Sequence, residues 1–328
     1  ATVTDIPIAA VDLTRSFPIV SQRTSVLNIT NGAFLQARLS ATDNLELSTN
    51  RVNGNVLEWQ VVQYNDAVVQ SGDVSFASGD AVRTATVSSV DPTKSWLVYG
   101  YRTESSSNAN IGEKLIRGQV TDSTTLMFDR STTGTTNELS WFLVEFQDST
   151  EVQHASVAFA SSGTTQDVTI SSVDPERSIA VGGYQMTGGR SPYTSDDRAG
   201  VAWFTLDLTA STNLQVQRDA ALATADLGWF VVHWPDGPCS DSDSDGLCDL
   251  EEDANTDLDA DPATNPGPDT DGDTTPNYLD NDDDGDGTLT SAENADPNAD
   301  GDPRDALDSD WDGQLDYLDL PTSISDGT

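Results

Sequence analysis

The chain has 328 residues and a formal net charge of −40, from 55 acidic and 15 basic side chains. So strong a negative charge disfavours nucleic acid and anionic membrane surfaces as partners, and the length suggests two or more domains. The longest apolar runs have the length of a strand, so we expect no membrane span. The numbering starts at Ala1 without a signal peptide, which we expect to have been removed.

The first 237 residues alternate apolar and polar side chains between short polar breaks, the pattern of an all-β fold. Three elements recur along them. AAVDLTRS (9–16) returns as SSVDPTKS (88–95) and SSVDPERS (171–178), and LEWQVVQY (57–64) returns as LSWFLVEF (139–146) and LGWFVVHW (227–234). VVQSGDVSFAS (68–78) returns as EVQHASVAFAS (151–161). We interpret these as three copies of one unit, divided as residues 1–79, 80–162 and 163–237.

Each copy has the size of a small antiparallel β-sandwich, either immunoglobulin-like or jelly-roll-like. The third copy runs from Trp234 through Pro235 to Pro238 directly into Cys239, so it is predicted to be one strand short. A neighbouring subunit could fill this gap and build a head-to-tail homopolymer. The alternatives are closure by the copy's own linker or cover by the segment that follows.

The two histidines align with ordinary positions of the other copies. His233 takes the place of Gln63 and Glu145, and His154 takes the place of Ser71. The β copies also contain no nucleophile elbow, phosphate loop or pair of acids. The sequence therefore predicts that the chain is not an enzyme.

The tryptophan strands of copies two and three are apolar on both faces. On the second face lie Ser140, Phe142, Val144 and Phe146, and Gly228, Phe230, Val232 and Trp234, whereas copy one has Glu58, Gln60, Val62 and Tyr64 there. Such a face packs either against another repeat of the same molecule, which we expect, or against another subunit. The segments IRGQVTD (116–122) and LSWFLVEF are similar to repeats of large bacterial surface proteins of uncharacterised activity, and this resemblance implies a bacterial exterior.

Residues 238–328 form a different segment, in which four stretches carry carboxylates at alternate positions. Carboxylates at positions one, three and five, glycine at six and an acid at twelve are what a calcium loop of the EF-hand type requires. Two stretches match fully and two are variants with Asp at twelve, so the sequence predicts several Ca²⁺ ions. The predicted metal ligands are Asp241, Asp243, Asp245, Asp249, Glu252, Asp269, Asp271, Asp273, Asp280, Asp282, Asp284, Asp286, Glu293, Asp308, Asp310, Asp312, Asp316 and Asp319.

A disordered acidic tail is the competing interpretation, because residues 239–328 hold 29 acidic side chains and a single base, Arg304. The regular spacing opposes it. The stretches DTDGDTTPNYLDNDDDGDG (269–287) and DSDWDGQLDYLD (308–319) resemble thrombospondin type 3 repeats. This resemblance implies short aspartate-rich segments that wrap around calcium with almost no core. Pro262, Pro266 and Pro268 interrupt the series, and the loop at Asn298 to Asp305 is less regular.

The cysteines, Cys239 and Cys248, bracket the first half of the first loop. We predict a disulfide between them and therefore an oxidising compartment. Zinc is a poor alternative, because two cysteines and two histidines without ligand spacing do not make a site.

Three functions follow from these features, in descending order of support. The first is a structural subunit of an extracellular or cell-surface assembly, stiffened by calcium. The second is a calcium-dependent adhesin or glycan binder, in which Trp96, Tyr184 or Tyr193 would stack on sugars. A secreted enzyme is the weakest of the three.

Overall fold

The computed structural model describes residues 2–23, 31–50, 56–107, 109–182, 189–195, 198–234, 241–252, 268–297, 303, 306–309 and 313–319. The chain divides into two compact units, Ala1–Pro235 and Asp236–Thr328. The fold is all-β with an aspartate-rich C-terminal segment, as the sequence predicts. No helix in the described ranges is both long enough and apolar enough to cross a bilayer.

In its described ranges, the first unit consists of antiparallel strands that form six small sheets. The strands are β1 (Thr2–Pro7), β2 (Ser16–Arg23), β3 (Gln36–Ala41), β4 (Asn44–Thr49), β5 (Val56–Gln63), β6 (Ala67–Phe76), β7 (Val82–Thr86), β8 (Ser95–Thr103), β9 (Arg117–Asp122), β10 (Thr125–Asp129), β11 (Asn137–Phe146), β12 (Glu151–Phe159), β13 (Thr165–Thr169), β14 (Ser178–Val181), β15 (Gly189–Arg190), β16 (Phe204–Ala210), β17 (Asn213–Arg218) and β18 (Ala225–His233).

In the residues that the structure describes, helical structure is confined to single turns. The 3₁₀ turns are Asn31–Ala33, Pro92–Lys94, Ile111–Glu113, Pro175–Arg177, Ala199–Val201, Asn277–Leu279, Thr290–Ala292 and Asp316–Leu318, and one α-helical turn, α1, spans Asp249–Glu252.

The six sheets make three sandwiches, each with its own apolar core. In the first, β1-β4-β3 packs on β2-β5 around a core that includes Val20, Leu45 and Leu47. In the second, β7-β10-β9 packs on β6-β11-β8, and in the third, β13-β17-β16 packs on β12-β18-β14 with β15 beside β18. The second and third sandwiches therefore have three strands in each main sheet. In both, the first strand of the repeat lies beside its last strand, β6 beside β11 and β12 beside β18.

The strand β6 belongs to the second repeat and does not end the first. Each of its residues from Ala67 to Phe76 pairs with β11, and β12 likewise pairs with β18 of the third repeat. The repeats run from β1 to β5, β6 to β11 and β12 to β18, so the predicted divisions after residues 79 and 162 are wrong. A periodic sequence fixes the length of the unit but not the point at which the unit starts.

The third repeat is consequently complete, and the prediction that it lacks a strand is wrong. Its sheet contains β12, which comes from its own chain. This removes the reason for expecting a neighbouring subunit at that place. In the first repeat, by contrast, β5 pairs with β2 alone among the described strands.

The recurring Val-Asp motif is a turn that binds the tryptophan strand. The carboxylates of Asp12, Asp91 and Asp174 accept hydrogen bonds from the backbone N–H two residues later, at 2.8–2.9 Å. Their own N–H groups donate to a side chain near the end of the tryptophan strand. These acceptors are Gln63 (2.8 Å), Glu145 (2.8 Å) and His233 (3.4 Å). His233 thus fills a structural position that glutamine and glutamate fill elsewhere.

The second face of the tryptophan strands packs between repeats, which confirms the predicted packing within one chain. Phe142, Val144 and Phe230 are buried there. Gln36 of the first repeat donates through Nε2 to Ser140 Oγ at 2.8 Å. Phe146 contacts Tyr64 of the first repeat and Trp234 of the third, with ring centroids 5.5 and 6.2 Å apart. The three sandwiches therefore share apolar contacts.

Candidate metal centre

The four predicted loops share one backbone geometry in their described parts. The residue at position six has a positive φ in each: Gly246 (105°), Thr274 (87°), Gly287 (93°) and Gly313 (96°). Its N–H donates to the carboxylate at position one of the same loop. The four acceptors are Asp241, Asp269, Asp282 and Asp308, at 3.1–3.3 Å. The carboxylate at position one therefore folds the loop back on itself.

Carboxylates at positions one, three and five converge in three loops. The clusters are Asp241 with Asp243 and Asp245, Asp269 with Asp271 and Asp273, and Asp282 with Asp284 and Asp286, and in each the three carboxylate oxygens lie within 4.8 Å of one another. Each cluster could hold a metal ion. In the fourth loop, Asp310 and Asp312 lie outside the described residues.

The residue at position nine has another role in all four loops. Both oxygens of Asp249 accept hydrogen bonds at 2.8 Å from Ser242, at position two. Asp316 accepts in the same way from Ser309. Asn277 Oδ1 and Thr290 Oγ1 likewise accept the N–H of position two at 3.0 and 3.1 Å. The oxygens of Asp249 and Asp316 thus fasten the loop, and the role of these two residues as metal ligands stays a prediction.

Position twelve behaves differently from loop to loop. Glu252 joins a cluster, as described next, whereas Asp280, Glu293 and Asp319 belong to none of the described clusters. Asp280 Oδ1 accepts the N–H of Asp282 at 3.1 Å. Desolvation, together with the charges of Asp284 and Asp286, raises the pKa of Glu293 to about 7.

Asp283 is the residue that spacing arguments miss. It lies at position two of its own loop, yet its carboxylate meets those of Asp245 and Glu252 from the first loop, with oxygens within 4.8 Å of one another. The side chains of Asp283 and Glu252 are buried, with exposed fractions of 1% and 6%. Neither carboxylate has a hydrogen-bond partner within the part of the unit that the structure describes. In the sequence, only the place of Asp283 between two loop acids, Asp282 and Asp284, hinted at such a role.

Burial and mutual repulsion change the pKa of this cluster. Desolvation, with Asp245 and Asp283 nearby, raises the pKa of Glu252 to about 10. Desolvation, with Asp245 and Asp243, raises the pKa of Asp283 to about 8. Carboxylates that are buried close together, with no basic side chain beside them, favour their protonated form unless a cation lies between them. The cluster has the charge and the oxygen donors of a cation site.

Comparisons with known proteins leave the family open. No family model matches the chain. No curated protein matches it significantly either. The resemblances to thrombospondin type 3 repeats and to bacterial surface repeats stay predictions.

The predicted disulfide is tested at one of its two ends. Cys248 is disulfide-bonded and is buried at position eight of the first loop. Cys239, the only other cysteine of the chain, lies outside the described residues. The pairing of the two stays a prediction.

The remaining candidate residues lie within the sandwiches. His154 packs on Phe230, with ring centroids 5.5 Å apart, and burial lowers its pKa. Trp96 is buried and contacts Phe17 edge to face, and Tyr193 packs against the core. Buried Trp96 therefore offers no open face to a sugar, whereas Tyr193 is half-buried and Tyr184 lies outside the described residues.

Proposed function

We propose that the chain is a structural protein of the cell exterior, secreted or bound to a surface, whose C-terminal unit is held together by several calcium ions. Its role would be that of a subunit in a filament or matrix. The observation that carries the proposal is the cluster of Asp245, Glu252 and Asp283, which is buried, anionic and without hydrogen-bond partners for most of its oxygens.

Calcium suits these clusters better than other biological cations. The donors are carboxylate oxygens from short loops, and Ca²⁺ accepts six to eight oxygens in flexible geometry. Mg²⁺ demands a smaller octahedral shell, and zinc favours nitrogen and sulfur. A cation would also supply the charge that the single base of this segment, Arg304, does not.

The C-terminal unit has little else to hold it together. Its described apolar core consists of Leu247, Ala295 and Tyr317, with Ala306, Leu315 and Leu318 packed against them. Fixing the backbone costs roughly 1–2 kcal/mol per residue, which so small a cluster does not offset. The binding energy of calcium would therefore be the folding energy of this unit.

The proposal is tested by calcium titration and proteolysis of the full chain. Isothermal titration calorimetry should show several bound Ca²⁺, and a protease should cut residues 236–328 only after chelation. Magnesium at the same concentration serves as the control. Resistance of this unit that is unchanged by chelation would refute the proposal.

A further inference from the structure

The first repeat has a strand edge without a described neighbour, at a place where the second and third repeats have a paired strand. Val61, Trp59 and Leu57 of β5 correspond to Leu143, Trp141 and Leu139 of β11 and to Val231, Trp229 and Leu227 of β18. β11 lies between β6 and β8, and β18 lies between β12 and β14. β5 has its β2 neighbour, but no described strand lies on its other side.

The free edge exposes side chains that are core elsewhere. Trp59 is 39% exposed, whereas Trp141 and Trp229 are 6% and 5% exposed. Leu57 and Val61 are half-buried, although their counterparts in the other two repeats are fully buried. The missing neighbour accounts for the difference in exposure. In the second repeat the indole of Trp141 lies directly on Gly72 of β6.

The strands that fill the other two edges share a pattern on the sheet face that carries Trp141 and Trp229. Gln70, Gly72, Val74 and Phe76 in β6 correspond to Gln153, Ala155, Val157 and Phe159 in β12. Each pattern is therefore glutamine, a small residue, valine and phenylalanine at alternate positions. The full pattern occurs only at these two places in the 328 residues, and both are already paired within their own repeats.

Two positions of the pattern have a specific partner. The small residue faces the tryptophan, and a Cβ added to Gly72 would lie 2.7 Å from Trp141 Cζ2. The glutamine amide closes a pair of hydrogen bonds with the backbone of Ser88 (2.7 and 3.1 Å) or Ser171 (2.7 and 3.1 Å). Ala9 holds this position in the first repeat, and no described residue bonds to its backbone.

The first repeat also differs at the turn that joins the first strand to the rest of the repeat. In the second and third repeats this turn follows β6 and β12. Arg130 donates to the carbonyls of Ala77 and Asp80 at 2.9 and 2.8 Å, and Arg218 binds the corresponding loop at Ala160 and Gly163. Thr49 stands at this position in the first repeat. The first repeat thus lacks the side chain that fastens a continuous first strand, which favours a strand from a separate chain.

We propose that the free edge of β5 binds an extended strand of another polypeptide that carries glutamine, a small residue, valine and phenylalanine at alternate positions. The strand would pair antiparallel with β5, cover Trp59 with its small residue and bind the Ala9 backbone through its glutamine. Unpaired backbone groups beside apolar side chains are the template that such strand addition requires. The proposal does not depend on the metal loops.

The test is hydrogen–deuterium exchange of the full chain in calcium, with a synthetic peptide of residues 149–161 (STEVQHASVAFAS) as the probe. Residues 56–63 should exchange at least about tenfold more slowly when the peptide is bound. A peptide with Ala155→Leu should not bind, because its side chain meets Trp59. A scrambled peptide should not bind either. Unchanged exchange of residues 56–63, or equal binding by the control peptides, would overturn the proposal.

A second chain locates the binding. The sequence of residues 67–79 is placed directly ahead of Ala1, which keeps the loop length of the second repeat. This chain should protect residues 56–63 by itself and should not bind the peptide. Peptide binding that survives this extension would place the peptide elsewhere and overturn the proposal. Dimers or polymers of the unextended chain alone, with residues 56–63 protected, would assign the edge to a second copy and equally overturn it.

Discussion

Position nine of each loop holds the side chain that fastens position two. Aspartate, asparagine and threonine all perform this role, at Asp249, Asn277, Thr290 and Asp316. Asparagine and threonine are neutral, so a negative charge is not needed there. The carboxylates at positions one, three and five, which converge, are the groups that a cation needs.

We predict that Asp283→Asn lowers calcium affinity more than Asp249→Asn. Asp283 contributes a buried oxygen to the cluster with Asp245 and Glu252, and losing its charge should weaken binding there about tenfold or more. Asp249→Asn copies the natural Asn277 and keeps one acceptor. Calcium titration of the two variants gives the comparison. Equal losses would remove Asp283 from the site.

Calcium affinity should rise with pH. The raised pKa values of Glu252 (about 10) and Asp283 (about 8) lie above those of unfolded carboxyl groups, about 4. In the metal-free fold these two carboxyls therefore bind more protons than in the unfolded chain between about pH 4 and pH 10, so this fold, already unstable without calcium, becomes less stable as pH rises through this window. Calcium replaces those protons, so binding releases them.

Calorimetric titrations at about pH 5.5 and pH 7.5, in buffers with different ionisation enthalpies, measure both effects. The affinity should be higher at the upper pH, and the heat should depend on the buffer. An affinity that does not change with pH would show that the bound state keeps its protons, contrary to this expectation.

In the second repeat, the turn that follows β6 is held by a buried arginine, Arg130. Arg130 is almost fully buried and also donates to the carbonyls of Glu113 (2.9 Å) and Thr135 (2.7 Å). Its guanidinium lies over the Phe76 ring, 5.4 Å from the centroid. Arg218 lies over Phe159 at 5.1 Å. The side chain of Arg130 thus donates hydrogen bonds to backbone carbonyls of several segments.

We predict that Arg130→Met lowers the free energy of unfolding by about 3 kcal/mol or more, because several buried carbonyls lose their donor. Arg83→Met is the control. Arg83 is half-exposed and its nearest acid, Asp80, is 3.6 Å away, so its loss should cost less than about 1 kcal/mol. Chemical denaturation of both variants measures the difference. Similar losses would mean that the carbonyls find water instead.

At the scale of the whole first unit, apolar contacts between the repeats join the three sandwiches. One continuous cluster contains Phe17 and Phe34 of the first repeat, Trp141 of the second, and Phe230 and Val232 of the third. Phe34 stacks on Tyr101 with centroids 5.3 Å apart. Repeats that share a core stabilise their neighbours, as in other stacked repeats.

The β unit should therefore unfold in one calorimetric transition. Phe17→Ala removes a buried ring that contacts Trp96 of the next repeat and should cost about 3–5 kcal/mol. It should shift this whole transition to lower temperature. Val3→Ala, at a largely exposed position, is the control. Separate transitions, with only one moved by Phe17→Ala, would show that the repeats unfold independently.

The sequence by itself determined the all-β class, the number of repeats and the positions of the acidic loops. Each of these follows from short-range pattern. Alternation along LSWFLVEF decides a strand, self-similarity gives three units, and spacing within twelve residues places Asp241, Asp243 and Asp245 together. Such patterns are local, so they are readable without knowing which segments meet in space.

The tertiary structure decided which segments meet. It assigned β6 and β12 to the repeats that follow them, since hydrogen bonding to β11 and β18 is a long-range event that periodicity does not specify. It also brought Asp283 to Glu252 across two loops and turned Asp249 towards Ser242. For the same reason the incomplete sheet is found in the first repeat. A missing neighbour is a property of the assembled sheet and not of any one strand.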